Sequence, residues 1–350
     1  MAGPRETMLV LAAVTGKGSP MSSRVPLTLA CWDYDRTRAL ATGEIRPEGV
    51  DLTYLSLPVE ETFFRMMRNR EFDVAEMSLS SYVLSLSRGA PATAIPVFPS
   101  RAFRHNGIYV NAASGIEQPA DLAGRLIGIP EYQLTAVVWI RGILAEHYGV
   151  PLESPRYRTG GLDTPGRVEK LQVEAPPGVD VQPIPAHRTL SDMLVSGEID
   201  AVCCPRTPRP FAEGRPEVRR LFADPRAEEE RYFARTGIFP IMHTVMLRPD
   251  VYQARRWLAQ SLYKAFEEAR ARTAERLTET AASPSMIPWL YDEVERTRRL
   301  MGNDFWSYGL QANATVLRTF LGYARDQGLT DRDLEPAELF TPETHASYVI

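Results

Sequence analysis

The chain has 350 residues, 44% of them hydrophobic and 24% charged, which is typical of a soluble globular protein with two lobes. Its net charge of −4 is well mixed along the sequence, which argues against a nucleic-acid or membrane-surface partner. Its three cysteines form no disulfide framework, and its five histidines show no metal-binding spacing. These features predict a reducing, cytoplasmic setting and no metal site.

The N-terminus does not have the pattern of an export signal. A short apolar run at residues 8–14 follows Glu6 and precedes Lys17, which is a poor match to a secretory leader. We therefore predict that residues 1–24 form a disordered extension.

The first part of the chain alternates predicted strands and helices. Residues 25–32 and 51–57 are predicted strands, and an amphipathic helix follows the second one. Residues 73–82 give a brief strand, a run of hydroxyl side chains and a helix, and residues 92–98 give another buried strand. This β-α-β-α-β order predicts a largely parallel sheet covered by helices.

A strand, a tight loop and a helix start follow one another near residue 130. The apolar run at residues 126–129 stops at Pro130, and Thr135 begins a helical pattern that ends at Gly149. The first free N–H groups of a helix favour a carboxylate or phosphate. This pattern predicts an anion pocket at residues 131–135, with an ordinary turn that binds no ligand as the alternative.

The later part of the chain continues this alternation and then becomes helical. Residues 180–184 and 199–204 are predicted strands, with a helix at residues 189–197 between them. An apolar strand at residues 238–247 carries the chain back, and the pattern is helical from Pro249 onward.

The order of these pieces resembles the type II periplasmic-binding-protein fold. Six segments, taken together, resemble the 4,5-dihydroxyphthalate decarboxylase family: residues 76–82 (EMSLSSY), 98–105 (FPSRAFRH), 131–142 (EYQLTAVVWIRG), 197–201 (GEIDA), 239–243 (FPIMH) and 303–309 (NDFWSYG). The likeness runs from about residue 25 to residue 340, which is nearly the whole chain.

The resemblance implies an α/β architecture with two lobes and a ligand cleft between them. Each lobe is expected to be a mostly parallel sheet flanked by helices. The expected first lobe combines residues 25–112 with residues 238–350, and the second lobe spans residues 113–237.

The resemblance also implies a reaction. A carboxy-lyase of this family removes carbon dioxide from a hydroxylated aromatic dicarboxylate such as 4,5-dihydroxyphthalate, which gives protocatechuate. No cofactor is required, because the ring hydroxyl supplies the electrons, and the family suggests a homo-oligomer. Two other readings remain: a solute-binding protein that captures an organic anion for an ABC transporter, and another cleft enzyme resembling chorismate dehydratase.

Three residues are candidates for the acid that protonates the ring. His105 and His243 lie in the two segments that bridge the lobes, and a histidine titrates in the range that suits this task. Glu76 is a rival acid if burial raises its pKa. We predict that His105→Asn lowers kcat and that a fully active variant would leave the role to His243 or Glu76.

The substrate carboxylates require cations and hydrogen-bond donors. Arg101 and Arg104 follow a predicted strand, where a guanidinium is suited to a bidentate carboxylate grip. The other candidate substrate-binding residues are Arg36, Ser78, Ser80, Ser81, Glu131, Tyr132, Gln133 and Thr135. The sequence predicts that Arg101→Ala weakens substrate binding far more than it weakens stability.

Overall fold

A computed structural model describes residues 24–346 of the chain. The predicted disordered extension therefore lies outside the described residues, apart from Arg24. No helix in the described range is both long and apolar enough to cross a membrane.

The strands in chain order are β1 (Val25–Cys31), β2 (Val50–Ser56), β3 (Val74–Ser78), β4 (Ala94–Ile95), β5 (Ile108–Asn111), β6 (Leu126–Ile129), β7 (Arg156–Thr159), β8 (Val181–Pro183), β9 (Ala201–Cys203), β10 (Val218–Arg220) and β11 (His243–Leu247). The helices are α1 (Arg38–Ala41), α2 (Val59–Asn69), α3 (Leu79–Ser87), α4 (Thr135–Tyr148), α5 (Leu190–Ser196), α6 (Arg209–Ala212), α7 (Pro225–Thr236), α8 (Pro249–Ala254), α9 (Trp257–Arg276), α10 (Leu290–Met301) and α11 (Ala314–Asp326). Six short 3-10 turns complete the described elements.

The strands form two sheets, with orders β2-β1-β3-β11-β4 and β10-β5-β9-β6-β7-β8. The β2-β1-β3 and β9-β6-β7-β8 pairings are parallel, and the remaining pairings are antiparallel. The two-lobed α/β fold is confirmed, but the sheets are mixed rather than mostly parallel. The cause is that the segments crossing between the lobes lead into β5 and β11, which run against their neighbours.

Two strands occupy topological switch points. In the first sheet β1 lies between β2 and β3, and in the second β6 lies between β9 and β7, so successive connections leave in opposite directions. Open α/β sheets bind ligands at such points, beyond the carboxyl ends of the strands. The fold therefore directs the loops after β1, β3, β6 and β9 toward one region.

Proline shortens two of the predicted strands. The strand predicted at residues 92–98 is limited to β4, because Pro96 has no N–H for the ladder. The strand predicted at residues 238–247 begins only at His243, after Pro240. In addition, β5 pairs in the second sheet although its residues fall in the range expected for the first lobe. The lobe boundaries otherwise stay a prediction.

Helix α4 is the buried centre of the molecule. It runs from Thr135 to Tyr148, close to the predicted helix, and the next residue, Gly149, has a φ of 67°, the left-handed conformation that glycine adopts at helix ends. Trp139 in α4 is fully buried, and its indole N–H donates to the carbonyl of Ile241, 2.9 Å away, in a crossing segment. Gly142 lets the ring of Tyr323 in α11 approach, since a Cβ there would lie 2.2 Å from that ring.

Candidate active site

A cleft of about 570 Å³ opens where the switch points of both sheets face each other. Its lining includes Trp32, Tyr34, Phe63 and Ser78 from the first lobe, Leu134, Thr135, Ala136, Lys170 and Arg206 from the second, and Ser100, Arg104, Met242 and His243 from the crossing segments. The predicted position of the ligand cleft, between two lobes, agrees with this geometry.

A larger groove of about 960 Å³ lies along the carboxyl ends of β6, β7 and β8. Its walls come from the second lobe, from α3 and from the end of α11, and neither His243 nor Glu76 lines it. The smaller cleft is the candidate active site, because it lies at the switch points and contains the histidine that pairs with a buried carboxylate.

His243 and Glu76 form a tightly bonded pair at the wall of the cleft. The Nδ1 atom of His243 lies 2.6 Å from Oε1 of Glu76, and Phe63 packs edge-on against the imidazole with ring centroids 4.9 Å apart. His243 lines the cleft, whereas Glu76 is fully buried behind it. Because Glu76 occupies Nδ1, Nε2 is the ring nitrogen left for a ligand.

The surroundings of Glu76 keep it ionised. Burial opposes its charge, but His243, the Tyr34 hydroxyl (2.7 Å) and the Trp32 N–H (3.0 Å) outweigh burial and lower the pKa of Glu76. Burial and the charge of Glu76 raise the pKa of Tyr34, so its hydroxyl stays a donor. The condition for Glu76 as the acid, a raised pKa, is therefore not met, and this carboxylate instead orients His243.

The structure places His105 away from the cleft. Its ring is 2% exposed, packs against Tyr148, Phe222 and Tyr232, and has no hydrogen-bond partner on either nitrogen. Burial lowers its pKa to about 4. A neutral, enclosed imidazole cannot deliver a proton to a ligand in the cleft.

Arg104 is the guanidinium that faces the cleft without a carboxylate partner. Its Nε donates to Sδ of Met242 at 3.1 Å, and within the described residues no acidic group lies at ion-pair distance from it. Burial lowers its pKa to about 10, which still leaves it charged at neutral pH. A half-buried cation of this kind is suited to a carboxylate ligand.

The start of α4 reaches the cleft, with hydroxyl groups packed beside it. Thr135 and Ala136 line the cleft, and their N–H groups make no hydrogen bond within residues 24–346. The hydroxyl of Thr135 accepts from the Ser80 N–H at 3.0 Å and bonds to the Ser78 hydroxyl at 2.9 Å. Ser78 lines the cleft, whereas Ser80 is buried in this cluster.

The other residues of the predicted anion pocket lie behind the wall. Glu131, Tyr132, Gln133 and Ser81 are buried and do not line the cleft. The Ser81 hydroxyl donates to Gln133, whose amide donates to Glu131, and the Tyr132 hydroxyl donates to the carbonyl of Gln327. These side chains are satisfied by protein partners, so the structure does not bring them to a ligand.

Arg101 and Arg36 also have partners elsewhere. Arg101 is 7% exposed, donates to the carbonyls of Phe239 (3.1 Å) and Ser307 (2.7 Å), and bonds to Asn313. Arg36 lies between the rings of Tyr34 and Trp306, each 4.1 Å away, and donates to the Pro99 carbonyl. Neither guanidinium lines the cleft.

Sequence reasoning did not single out Tyr34, Lys170 and Arg206. Tyr34 follows the end of β1, and Arg206 follows the end of β9, so the strand-end rule that selected Arg104 also applies to them. Lys170 is one of only three lysines in a chain with 40 basic residues, and this rarity is the only feature of the sequence that could have pointed to it. In the described part of the chain no group of three His, Cys, Asp or Glu residues is arranged to hold a metal ion.

No family model matches the chain. A 4,5-dihydroxyphthalate decarboxylase of Comamonas testosteroni is 44% identical to it over 329 residues, which are 94% of this chain and 100% of that protein. The chain belongs to the 4,5-dihydroxyphthalate decarboxylase family. A protein of the same name from Pseudomonas putida is 43% identical over 212 residues, 60% of this chain and 82% of that protein. The expected class, a carboxy-lyase, is thereby confirmed.

Solved structures support the fold described above for this member of the decarboxylase family. A periplasmic sulfonate-binding protein, SsuA, from Methylobacillus flagellatus superposes with a TM-score of 0.52 at 13% identity. The match covers 91% of this chain and 92% of that one. At this identity the likeness concerns the fold alone, and it confirms the periplasmic-binding-protein-like architecture.

Proposed function

We propose that the protein removes carbon dioxide from 4,5-dihydroxyphthalate and releases protocatechuate. The observation that carries the proposal is the His243–Glu76 pair at the wall of the interlobe cleft, in a chain that belongs to this decarboxylase family. A histidine held by a buried carboxylate is suited to proton transfer.

In the proposed reaction His243 is the general acid. Electron density from the ring hydroxyl para to the departing carboxylate reaches the carbon that carries it, and Nε2 of the protonated His243 delivers a proton there. The bond to the carboxylate then breaks, its electron pair returns to the ring, and carbon dioxide leaves. Glu76 compensates the charge of the imidazolium before the transfer and holds the ring in place.

The cleft also supplies groups that bind carboxylates. Arg104 has no acidic partner at ion-pair distance within the described range, and the free N–H groups of Thr135 and Ala136 lie at the positive end of α4. These groups line the same cleft, so we propose that they hold the acid while His243 acts on the ring.

Turnover in heavy water tests this reaction. Purified protein is incubated with 4,5-dihydroxyphthalate and a panel of hydroxybenzoates, and carbon dioxide release and ring deuteration are measured. We expect carbon dioxide and protocatechuate with deuterium at the vacated carbon. Ligand binding without carbon dioxide release would instead favour a solute-binding protein, which the likeness to SsuA makes the alternative to test. Elimination of water would identify a reaction like that of chorismate dehydratase.

We further propose that the enzyme is cytoplasmic and needs no cofactor. The described cysteines, Cys31, Cys203 and Cys204, are all free thiols, which supports a reducing compartment. The ring hydroxyl supplies the electrons of the reaction, so we expect activity to survive treatment with a metal chelator. Activity that is lost and then restored by added metal would overturn this mechanism.

We also propose that two copies associate through α10. Met286, Ile287, Trp289, Tyr291 and Leu300, which lie on α10 or just before it, are exposed large hydrophobic residues, and Met286 is fully exposed. A concentration of exposed large hydrophobic residues in one segment of the chain is unusual on a monomer.

The charges on α10 favour a second copy as the partner. Asp292 and Arg299 lie two turns apart on one exposed face of α10 and have no ion-pair partner within the described residues. When two α10 helices pack antiparallel about a two-fold axis, Asp292 of each copy comes opposite Arg299 of the other. These two residues are therefore complementary in charge across an axis that passes midway between them.

A further inference from the structure

The long loop between β7 and β8 brings two cations to one buried carboxylate. The ammonium of Lys170 lies 2.7 and 2.8 Å from the two oxygens of Glu131, and the Lys170 N–H donates to the same group at 3.1 Å. Arg167 donates to Oε1 of Glu131 through Nε at 2.9 Å. Glu131 has no exposed surface, so its ionised form depends on these two cations.

Lys170 also faces the cleft. It lines the cleft together with Glu60 and Thr135, although its side chain is only 2% exposed. An ammonium has three protons, and the two oxygens of Glu131 account for two of them. The third proton has no hydrogen-bond acceptor within the described residues, and the ammonium also lies 5.6 Å from the centroid of the Phe64 ring.

The charges around Lys170 leave a positive excess. Glu131 is shared by Arg167 and Lys170, and Glu60 is shared by Arg167 and Arg206 at 3.3 and 3.6 Å. Three cations thus face two carboxylates among the residues at this wall of the cleft. Glu169 also lies near Lys170, but burial raises the pKa of Glu169, and its side chain does not line the cleft. An anionic ligand beside Lys170 would balance the charge.

We infer that Lys170 binds one carboxylate of the substrate and that Glu131 is the positioning residue that holds Lys170 at the cleft. This inference rests on the proposed function. It changes the role that the sequence suggests for Glu131, from contact with the substrate to support of the residue that makes the contact. Arg104 lines the same cleft and has no acidic partner at ion-pair distance within the described residues, so a benzene dicarboxylate has a separate cation for each carboxylate, whereas a benzoate can engage only one of the two.

Titration calorimetry with phthalate and benzoate tests the first half of the inference. Phthalate has both carboxylates but no hydroxyl to drive decarboxylation. We expect Lys170→Met to weaken phthalate binding by about tenfold or more, the usual cost of a lost charge-assisted hydrogen bond. We expect a smaller change in benzoate binding, because a single carboxylate can still bind Arg104. The matched control is Lys264→Met, an exposed lysine on α9. Unchanged phthalate binding in Lys170→Met would overturn the inference.

A double-mutant cycle tests the role of Glu131. If Glu131 acts only through Lys170, Glu131→Gln weakens phthalate binding in the native background and has no further effect in Lys170→Met. Equal losses in both backgrounds would mean that Glu131 has a general structural role. If Glu131→Gln does not fold, Glu131→Asp keeps the charge, shortens the side chain and allows the same comparison.

These measurements separate the inference from the proposed reaction. If the native enzyme decarboxylates 4,5-dihydroxyphthalate and Lys170→Met keeps its KM and its affinity for phthalate, the inference fails and the proposed function stands. If phthalate binding depends on Lys170 but no carbon dioxide is released, the proposed reaction fails and the carboxylate contact stands.

Discussion

His243 and Glu76 project from the same face of two adjacent antiparallel strands. In the register of β11 and β3, Val245 lies opposite Glu76, and His243 is two residues away on the same side, with Nδ1 2.6 Å from Oε1. The pair is therefore fixed by the sheet rather than by a mobile loop. A catalytic ring on such a scaffold needs little reorganisation during the reaction.

The first prediction concerns this pair. We expect His243→Gln to lower kcat by about 10²–10⁴, the range for loss of a general acid, with a smaller change in KM. Glu76→Gln should also lower kcat, because the His243 ring loses its orienting partner. Initial rates of protocatechuate formation measure both effects. His187→Gln, on an exposed loop, is the control, and a fully active His243→Gln would remove this residue from the mechanism.

The second prediction concerns the hydroxyl of Tyr34. Tyr34→Phe removes a hydrogen bond that lowers the pKa of Glu76, so that pKa should rise in the variant. Because the His243–Glu76 pair requires ionised Glu76, the acid limb of the plot of kcat against pH should move to higher pH. Tyr54→Phe is the matched control, since the Tyr54 hydroxyl donates to the Trp32 carbonyl. Superimposable profiles for Tyr34→Phe and the native enzyme would contradict this role.

The third prediction contrasts two arginines that lie three residues apart. Arg104→Gln should raise KM by about tenfold or more with little effect on stability, because its guanidinium faces the cleft. Arg101→Gln should lower the free energy of unfolding by more than about 2 kcal/mol, because it leaves buried acceptors at Phe239 and Ser307 without their donor. This reverses the sequence-based prediction for Arg101.

Urea unfolding and steady-state kinetics on both variants decide between the two predictions for Arg101. An Arg101→Gln protein with native stability and a raised KM would restore the sequence-based prediction. An Arg104→Gln protein with a native KM would contradict the proposed role of Arg104 in substrate binding.

The fourth prediction concerns pH and His105. Burial holds the pKa of His105 at about 4, whereas the unfolded chain has a histidine pKa of about 6.5. Between these values the unfolded state binds more protons, so stability falls as pH falls from about 6.5 to about 4. In His105→Phe, which keeps an aromatic ring among Tyr148, Phe222 and Tyr232, this part of the loss should disappear.

Urea unfolding of the native protein and His105→Phe across this pH range measures the difference. We also expect the variant to keep its kcat, because the ring does not reach the cleft. A variant with native pH dependence of stability and a much lower kcat would return His105 to the mechanism.

The sequence was informative where a local pattern determines a local structure. The strand, loop and helix start around Pro130 were predictable, because an apolar run, a proline and a terminal glycine each act locally. The resemblance to the decarboxylase family predicted the two-lobed arrangement. His243, Arg104, Ser78 and Thr135 were named from the sequence, and all four line the cleft.

The remaining site residues depend on contacts between distant parts of the chain. Nothing near Arg101 in sequence indicates that Asn313 and the Ser307 carbonyl would bind its guanidinium. Likewise, the sequence places the Glu131 carboxylate in a predicted anion pocket. Only the folded loop that carries Lys170 shows that this carboxylate binds a lysine. The many arginines of the chain make this prediction harder, because the sequence does not distinguish an arginine that lines a cleft from one that belongs to a buried hydrogen-bond network.

The last prediction tests self-association through α10. Asp292→Arg or Arg299→Asp alone places like charges opposite each other twice in an antiparallel α10 pair, and each should weaken the dimer. The double variant, Asp292→Arg with Arg299→Asp, restores opposite charges and should restore the dimer. Analytical ultracentrifugation gives the mass of each protein, and Asp51→Arg on the edge strand β2 is the control. A native protein that sediments as a monomer, or a double variant weaker than both single variants, would exclude this interface.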